Sequence, residues 1–527
     1  MFGNLSKRHK STLVILFVAV FLLPFFSAQN FSPTSDETTH IPSGYTYIKT
    51  GELKLNPQHP PLVKILAALP LMLLHINFDS SDPAFSSPLF DEWQFGKRFL
   101  VSNDVGKVLV FSRIAIQLLS VLMALYLYKW ASELFNPKVG ILALFIYTFM
   151  PNIIAHAQFV TMDIAVTSFT FVAMYYLWKF FRNNQNRDLI FSGIFLGLGL
   201  ASKFSAVVFI PIVVGFLLIH VWRTSLIIDL KIRKYIIYSL LIFVSSFLVV
   251  YASYLFPKDL GFYIRGMRLI YADWSGAHSF YLNGNFSSSG WWYYFILAFL
   301  IKTPIPFLIT LFLAIILMVL KKLPIKVWDS LYLLIPVIFF GVVTSIKAGD
   351  IGVRYILPVY PFLILFASGI AEVDFRNLFG FSNKTILATA IVIIVWYAGS
   401  SIWIYPDYLA YFNEFVGGSS QGYKYLDDSN IEWGQDLKRL KSYQDEYPET
   451  KVIISWKHAD PSYYGIKNHI EANKESLSNP SGRVAVNVNL LIHLIQKSQE
   501  YKDPTLDWLR LYKPIDKIGQ SFFVYQF

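Results

Sequence analysis

Residues 11–28, STLVILFVAVFLLPFFSA, are followed at 35–62 by SDETTHIPSGYTYIKTGELKLNPQHPPL. The first stretch approaches the roughly 20 apolar residues that cross a bilayer. The second carries adjacent carboxylates, Asp36 and Glu37, two histidines, His40 and His59, and two lysines, Lys49 and Lys54. So much polar chemistry directly after an apolar run places Asp36 and Glu37 at a water–lipid boundary. The basic start, MFGNLSKRHK, is shared with signal peptides. The run is nevertheless close to spanning length and Ser27-Ala28-Gln29-Asn30 is a weak cleavage site, so we read a retained first span.

The rest of the chain has the same character. Of 527 residues, 55% are hydrophobic, 17% aromatic and only 15% charged, which is far more apolar than a soluble chain and indicates a polytopic membrane protein. The net charge of +11 does not point to nucleic acid, because Lys and Arg occur in short groups between apolar runs, as cytoplasmic loops require. The absence of cysteine excludes disulfides, thiolate catalysis and cysteine metal sites.

Runs near spanning length predict about eleven segments, at 11–28, 107–128, 138–156, 161–181, 189–202, 204–222, 235–256, 293–320, 328–346, 352–370 and 385–404. The pair flanking Lys203 is the least regular, and a merged or re-entrant segment there would change the parity. Basic residues collect in alternate connections: Lys7, Arg8 and Lys10; Lys129 and Lys138; Lys179, Arg182 and Arg187; Arg223, Lys231, Arg233 and Lys234; Lys321, Lys322 and Lys326; Arg376 and Lys384. The positive-inside tendency assigns these to the cytoplasm. The long stretch 29–106, the stretch 257–292, the turn near 347–354 and everything after about 405 then lie outside. Within the first loop, PPLVKILAALPLMLLHI is short and interrupted by proline, so it reads as a helix lying at the interface. The tail offers the strand-like runs KVIISW, RVAVNV and SFFVYQF, and we expect a small soluble α/β domain at 405–527 beside a membrane domain at 1–404.

With these features in place, the chain resembles a known family. The acidic pair after the first span, GYTYIKTGELKLNPQHPPL, YLNGNFSSSGWWYYFILAFLIKTPIP, GVRYILPVYPFL, YLAYFNEFVGG and DSNIEWGQDL look like membrane glycosyltransferases of the GT-C fold. The branch it resembles is the phospholipid-carrier-dependent one related to the dolichyl-phosphate-mannose protein mannosyltransferases, glycosyltransferase family 39. The resemblance covers nearly the whole chain and implies a mainly α, GT-C-like bundle, a polyprenyl-phosphate-linked sugar as donor, an acceptor protein, lipid or glycan outside the membrane, and inversion at the anomeric carbon. The external tail then faces a periplasm, a cell exterior or an endoplasmic-reticulum lumen, and a bacterial or archaeal plasma membrane is the expectation.

Such a transfer asks for few groups. One carboxylate takes the proton of the acceptor hydroxyl on the face opposite the leaving group; Asp36 is the candidate base. A phosphate leaves as an anion, so cations that hold its charge matter more than a dedicated acid. Arg354, Lys203, Lys302 and Lys347 stand near external span ends, with Arg preferred for bidentate contact. The resemblance favours Arg354 in GVRYILP most, with Tyr355 beside it, and Lys347 least; it also makes His59 of QHPPL a substrate-binding candidate. Glu37 is a weaker catalytic candidate that orients a loop, an acceptor or a metal. Asp163 is a second acidic candidate, the plainer reading being a carboxylate at a helix start.

No cofactor is firmly implied. The candidate set for a divalent cation is His40, His59, His156 and Glu37, whose spacing matches no short ligand motif; Mg or Mn would suit oxygen ligands and Zn a histidine–carboxylate set. Trp291, Trp292, Tyr293 and Tyr294 read first as interfacial aromatics and second as a sugar-stacking surface. Two other function classes fit the hydropathy: a secondary transporter or flippase, which would place its charges mid-membrane in related halves, and a non-catalytic assembly protein, which leaves the loop motifs unexplained.

The orientation is testable. Cysteines introduced at Ser87 and Ser462 are expected to react with an impermeant thiol reagent added outside, and one at Asn184 is not. Labelling of Ser87 and Ser462 from opposite sides would overturn the odd span count.

Overall fold

The structure, a computed structural model, describes residues 6–87, 91–224, 226–274, 278–454, 459–473, 477 and 480–527. Among these, eight helices are long and apolar enough to cross a membrane: Lys7–Ala28, Val105–Leu134, Asp163–Asn183, Phe204–Trp222, Ile228–Ser253, Val327–Lys347, Val353–Glu372 and Asn383–Trp403. The chain is an integral, multi-pass membrane protein with a mainly α architecture. Asn186–Leu200 falls in the expected 189–202 segment but has only 15 residues. It ends before Lys203, whose extended backbone separates it from Phe204–Trp222, so the two do not merge.

Two expected spans are broken instead. The segment 138–156 divides into Pro137–Thr148 and Pro151–Ala157, bent by 64°, because Pro151 lacks an N–H and holds Met150 in an extended conformation. The segment 293–320 divides into Tyr294–Lys302 and Ile305–Val319, bent by 117°. There Thr303 and Pro304 are both extended ahead of Pro306. Counting each bent pair as one span gives ten; the eleventh expected segment is the shorter helix Asn186–Leu200, between Asp163–Asn183 and Phe204–Trp222.

The first loop returns to the bundle as helices. Thr34 caps Ser35–Thr50: its hydroxyl accepts from the Glu37 N–H and Glu37 accepts from the Thr34 N–H, a capping box, while Gly51 closes the other end at φ 73°. Pro42 lies inside this helix and leaves the Thr38 carbonyl without its intrahelical donor. Helix Glu92–Val101 approaches at that carbonyl through Gly96, where a Cβ would sit 1.9 Å from the Thr38 oxygen. On the other side Gly44 meets Leu62–Ala68 equally closely, with a Cβ 1.9 Å from the Lys64 carbonyl oxygen. Helix Ser35–Thr50 is thus wedged between two loop helices. The expected interfacial helix is present as Leu62–Ala68 running into a 3-10 turn, Leu69–Leu73, too short to span.

The tail forms a five-stranded sheet in the order His469–Glu471, Lys451–Ile454, Arg483–Asn487, Phe522–Gln526, Asp516–Ile518. The first three strands are parallel and the last two pair antiparallel. Residues 455 and 456, which end the expected run KVIISW, lie outside the described residues. A hairpin, Phe280–Leu282 with Asn285–Ser287, turns through Asn283 and Gly284, both at positive φ.

Candidate functional site

Four charged side chains from four separate elements meet where several spans end. Asp36 stands in the first turn of Ser35–Thr50, Asp163 begins Asp163–Asn183, Lys203 lies in the break before Phe204–Trp222, and Arg354 opens Val353–Glu372. Arg354 Nη1 donates to Asp36 Oδ2 at 3.0 Å and lies 3.9 Å from Asp163 Oδ2. Lys203 Nζ donates to Asp163 Oδ1 at 2.7 Å. Signs alternate around the set, so each charge is stabilised by its neighbours in a poorly solvated place. Asp36 is the most open member, 22% exposed, against 2% for Asp163. Arg354 Nε is buried with no hydrogen-bond partner.

Aromatic rings and histidines surround the charges. Lys203 lies 4.3 Å from the Tyr355 ring centroid and Arg354 4.2 Å from that of Trp433. His40 follows Asp36 by one helical turn and its Nδ1 faces the Val160 carbonyl at 3.0 Å. His59 packs edge-on against His40, ring centroids 5.5 Å apart. Burial lowers the pKa of both imidazoles, and that of His59 further because His40, Lys64, Lys203 and Arg354 are close. Both rings are therefore neutral at pH 7.

Glu37 does not open onto this cluster. It is fully buried and paired with Arg113 of Val105–Leu134 through two parallel bonds, Nε to Oε1 at 2.8 Å and Nη2 to Oε2 at 2.7 Å. Glu37 Oε1 also accepts from Val160 N and Oε2 from Thr34 N. Arg113 further donates to the carbonyls of Ala28 and Ser32. Lys302 likewise stands apart: its Nζ donates to the carbonyls of Leu409 and Asn430, at 2.7 and 2.5 Å. Lys347 is exposed.

The tail closes over the cluster. Ser35 N donates to the Trp433 carbonyl at 2.9 Å, Ser32 N to that of Gln435 at 2.8 Å, and Val353 N to Asn430 Oδ1 at 3.0 Å. The segment around DSNIEWGQDL is thus bonded to the start of the Asp36 helix and to the start of the Arg354 span. Of the sequence-level candidates, Asp36, Asp163, Lys203, Arg354 and Tyr355 come together, His59 stands at their edge, and Glu37 and Lys302 are held in scaffold bonds. Arg113 and Trp433 were not among the candidates, and His40, considered only as a metal ligand, instead faces the Val160 carbonyl beside Asp36. Arg113 carried a signal, since an arginine inside an apolar span needs a buried partner.

Among the described residues no group of three or more His, Asp or Glu side chains is arranged to hold a metal ion. His40 faces a backbone carbonyl, and both Glu37 oxygens are engaged by Arg113 and backbone N–H groups.

The sequence profile of the dolichyl-phosphate-mannose-protein mannosyltransferases matches residues 100–250. This stretch contains Asp163 and Lys203 but neither Asp36 nor Arg354. No curated protein matches the chain. Among solved structures, ArnT from Cupriavidus metallidurans bound to undecaprenyl phosphate is 14% identical, with 97% of each chain covered and a TM-score of 0.48. The archaeal oligosaccharyltransferase AglB from Archaeoglobus fulgidus, in complex with an inhibitory peptide and a dolichol-phosphate, is 12% identical, with 99% of this chain and 74% of that chain covered and a TM-score of 0.47.

Because Glu37 and Arg113 are fully desolvated partners, removing one charge leaves the other buried and alone. Glu37→Gln is expected to lower stability by about 3–5 kcal/mol, read as a fall in the Tm of the detergent-purified protein. An unchanged Tm would show that the pair carries no structural weight.

Proposed function

We propose that the chain is an inverting glycosyltransferase that moves a sugar from a polyprenyl-phosphate donor to an acceptor hydroxyl at the external face of the membrane. The observation that carries this reading is the juxtaposition of a partly open carboxylate, Asp36, with two cations, Arg354 and Lys203, at the ends of apolar spans. The profile match over residues 100–250 and the loop motifs support it. So does the basic-residue pattern, which puts this end of the bundle outside.

In this reading the carrier phosphate lies against Arg354 and Lys203. Arg354 has a buried Nε without a partner, and a guanidinium presents paired donors to phosphate oxygens. A bound phosphodiester competes with Asp36 for Arg354 and so releases the carboxylate toward the acceptor. Asp36 takes the proton of the acceptor hydroxyl as its oxygen bonds to the anomeric carbon. The bond from that carbon to the phosphate oxygen breaks, and polyprenyl phosphate leaves with the electron pair. The charge that grows on the phosphate is stabilised by cations already in place.

Asp163 keeps Lys203 charged and aimed, and Tyr355 flanks it. Glu37 acts through Arg113 as a positioning residue, and Lys302 holds the tail. We also propose the division into a membrane domain, 1–404, and an external domain, 405–527, whose loop at 427–437 roofs the site. The acceptor is a protein, lipid or glycan hydroxyl.

Asp36→Asn preserves size and hydrogen bonding but not basicity, so turnover is expected to fall by about 10²-fold or more with donor affinity little changed. Arg354→Ala is expected to raise donor KM, and Arg354→Lys to restore it only in part. A folded Asp36→Asn protein that transfers at more than about half the wild-type rate would remove the general-base assignment.

A further inference from the structure

Lys64 is a cation that the transfer just described does not use. It lies on the short loop helix Leu62–Ala68, is 0% exposed, and makes no salt bridge among the described residues. Its Nζ instead donates to the Asn56 carbonyl at 2.6 Å, the His59 carbonyl at 2.9 Å, Tyr47 Oη at 3.0 Å and Asn56 Oδ1 at 3.2 Å. Burying an ammonium without a counter-ion is costly unless its donors are satisfied, and here neutral oxygens satisfy them all.

Those oxygens belong chiefly to one turn. Glu92 grips the same turn from the opposite side: it accepts from Asn56 N at 2.7 Å, Asn56 Nδ2 at 3.2 Å and Gln58 Nε2 at 2.9 Å. Asn56, at φ 51°, is therefore held through its N–H, amide nitrogen, amide oxygen and carbonyl by one acidic and one basic side chain. The turn ends in His59, whose ring meets His40 one helical turn beyond Asp36. Burial lowers the Lys64 pKa to about 7, partly offset by the Glu92 carboxylate; Tyr47, His59 and His40 are the other titratable groups near it.

We propose that Lys64 and Glu92 form a clamp on residues 56–59 whose task is to place His59 against the reaction centre, making Lys64 a positioning residue that acts through His59. The inference rests on the proposed transfer for its functional consequence, but not for its structural one. A turn built of backbone and a left-handed asparagine has no apolar core of its own, so without the clamp it is free to swing and carries His59 with it.

The structural arm is read without any donor. Carbethoxylation of histidines, followed by mass spectrometry of the full-length protein, is expected to modify His59 at least severalfold faster in Lys64→Met than in wild type, with buried His156 unchanged. An unchanged His59 rate overturns the clamp, and His59 and His156 rising together overturns it in favour of general loosening. Should Lys64→Met fail to fold, Glu92→Gln carries the same comparison.

The functional arm is a double-mutant cycle on kcat/KM for transfer. Lys64→Met is expected to cost about tenfold or more, and Lys64→Met combined with His59→Ala no more than about twofold beyond His59→Ala alone. Losses that multiply overturn action through His59. Absence of transfer by the wild-type protein counts against the proposed function and leaves the labelling result standing.

Discussion

The buried bidentate pair of Glu37 and Arg113 is the constraint on which the rest of the site depends. Arg113, in the first third of the second apolar helix, reaches the carbonyl of Ala28, which ends the first one, the carbonyl of Ser32 just beyond it, and the carboxylate that caps the Asp36 helix. The same carboxylate accepts from Val160 N, three residues before Asp163. One ion pair therefore sets where the Asp36 helix starts and where the Asp163 helix starts. Asp36, adjacent in sequence but rotated by about 100° on the helix, faces away from Arg113 and toward Arg354. Replacing such a pair by apolar groups is often neutral for stability; its use here is geometric.

The tail supplies a second constraint. Lys302 sits at the 117° break and donates to carbonyls on either side of the segment that precedes Trp433. Asn430 reaches both Val353 N and Tyr294 Oη, and Gly352 allows this approach, since a Cβ there would meet Ser429 Oγ at 2.2 Å. Spans, first loop and tail thus converge on one small volume, with Trp433 covering the Arg354 guanidinium. A bundle end that would otherwise admit water is enclosed, and enclosure strengthens every charge interaction within it.

Much of this was legible from the sequence. Apolar runs of about 20 residues marked the helices because a single segment of that length satisfies its own backbone groups in lipid only as a helix, and the strand-like runs KVIISW, RVAVNV and SFFVYQF each hold a strand of the tail sheet. The breaks at Pro151 and Pro304 were missed because hydropathy reads through a proline that chain geometry does not. For the site, carboxylates and cations near span ends drew attention to Asp36, Asp163, Lys203 and Arg354, which meet. Glu37 was harder, though Thr34-Ser35-Asp36-Glu37 carries the spacing of a capping box, and that spacing argues for a structural carboxylate. Lys302 and His40 were singled out for other roles; the carbonyl contacts of Lys302, more than a hundred residues away, and the ring packing of His40 and Trp433 are relations for which one sequence offers no signal.

The central claim is that this cluster drives displacement of a polyprenyl phosphate by a hydroxyl on the opposite face of the sugar. The most direct measurement offers the purified protein a panel of polyprenyl-phosphate sugars of known anomeric configuration with candidate acceptors, and follows both polyprenyl-phosphate release and the configuration of the product by proton NMR. The account predicts release matched to product formation, with the anomeric configuration inverted. Product formed with the donor's configuration retained would contradict it, because retention requires a covalent or ion-paired intermediate rather than one in-line displacement.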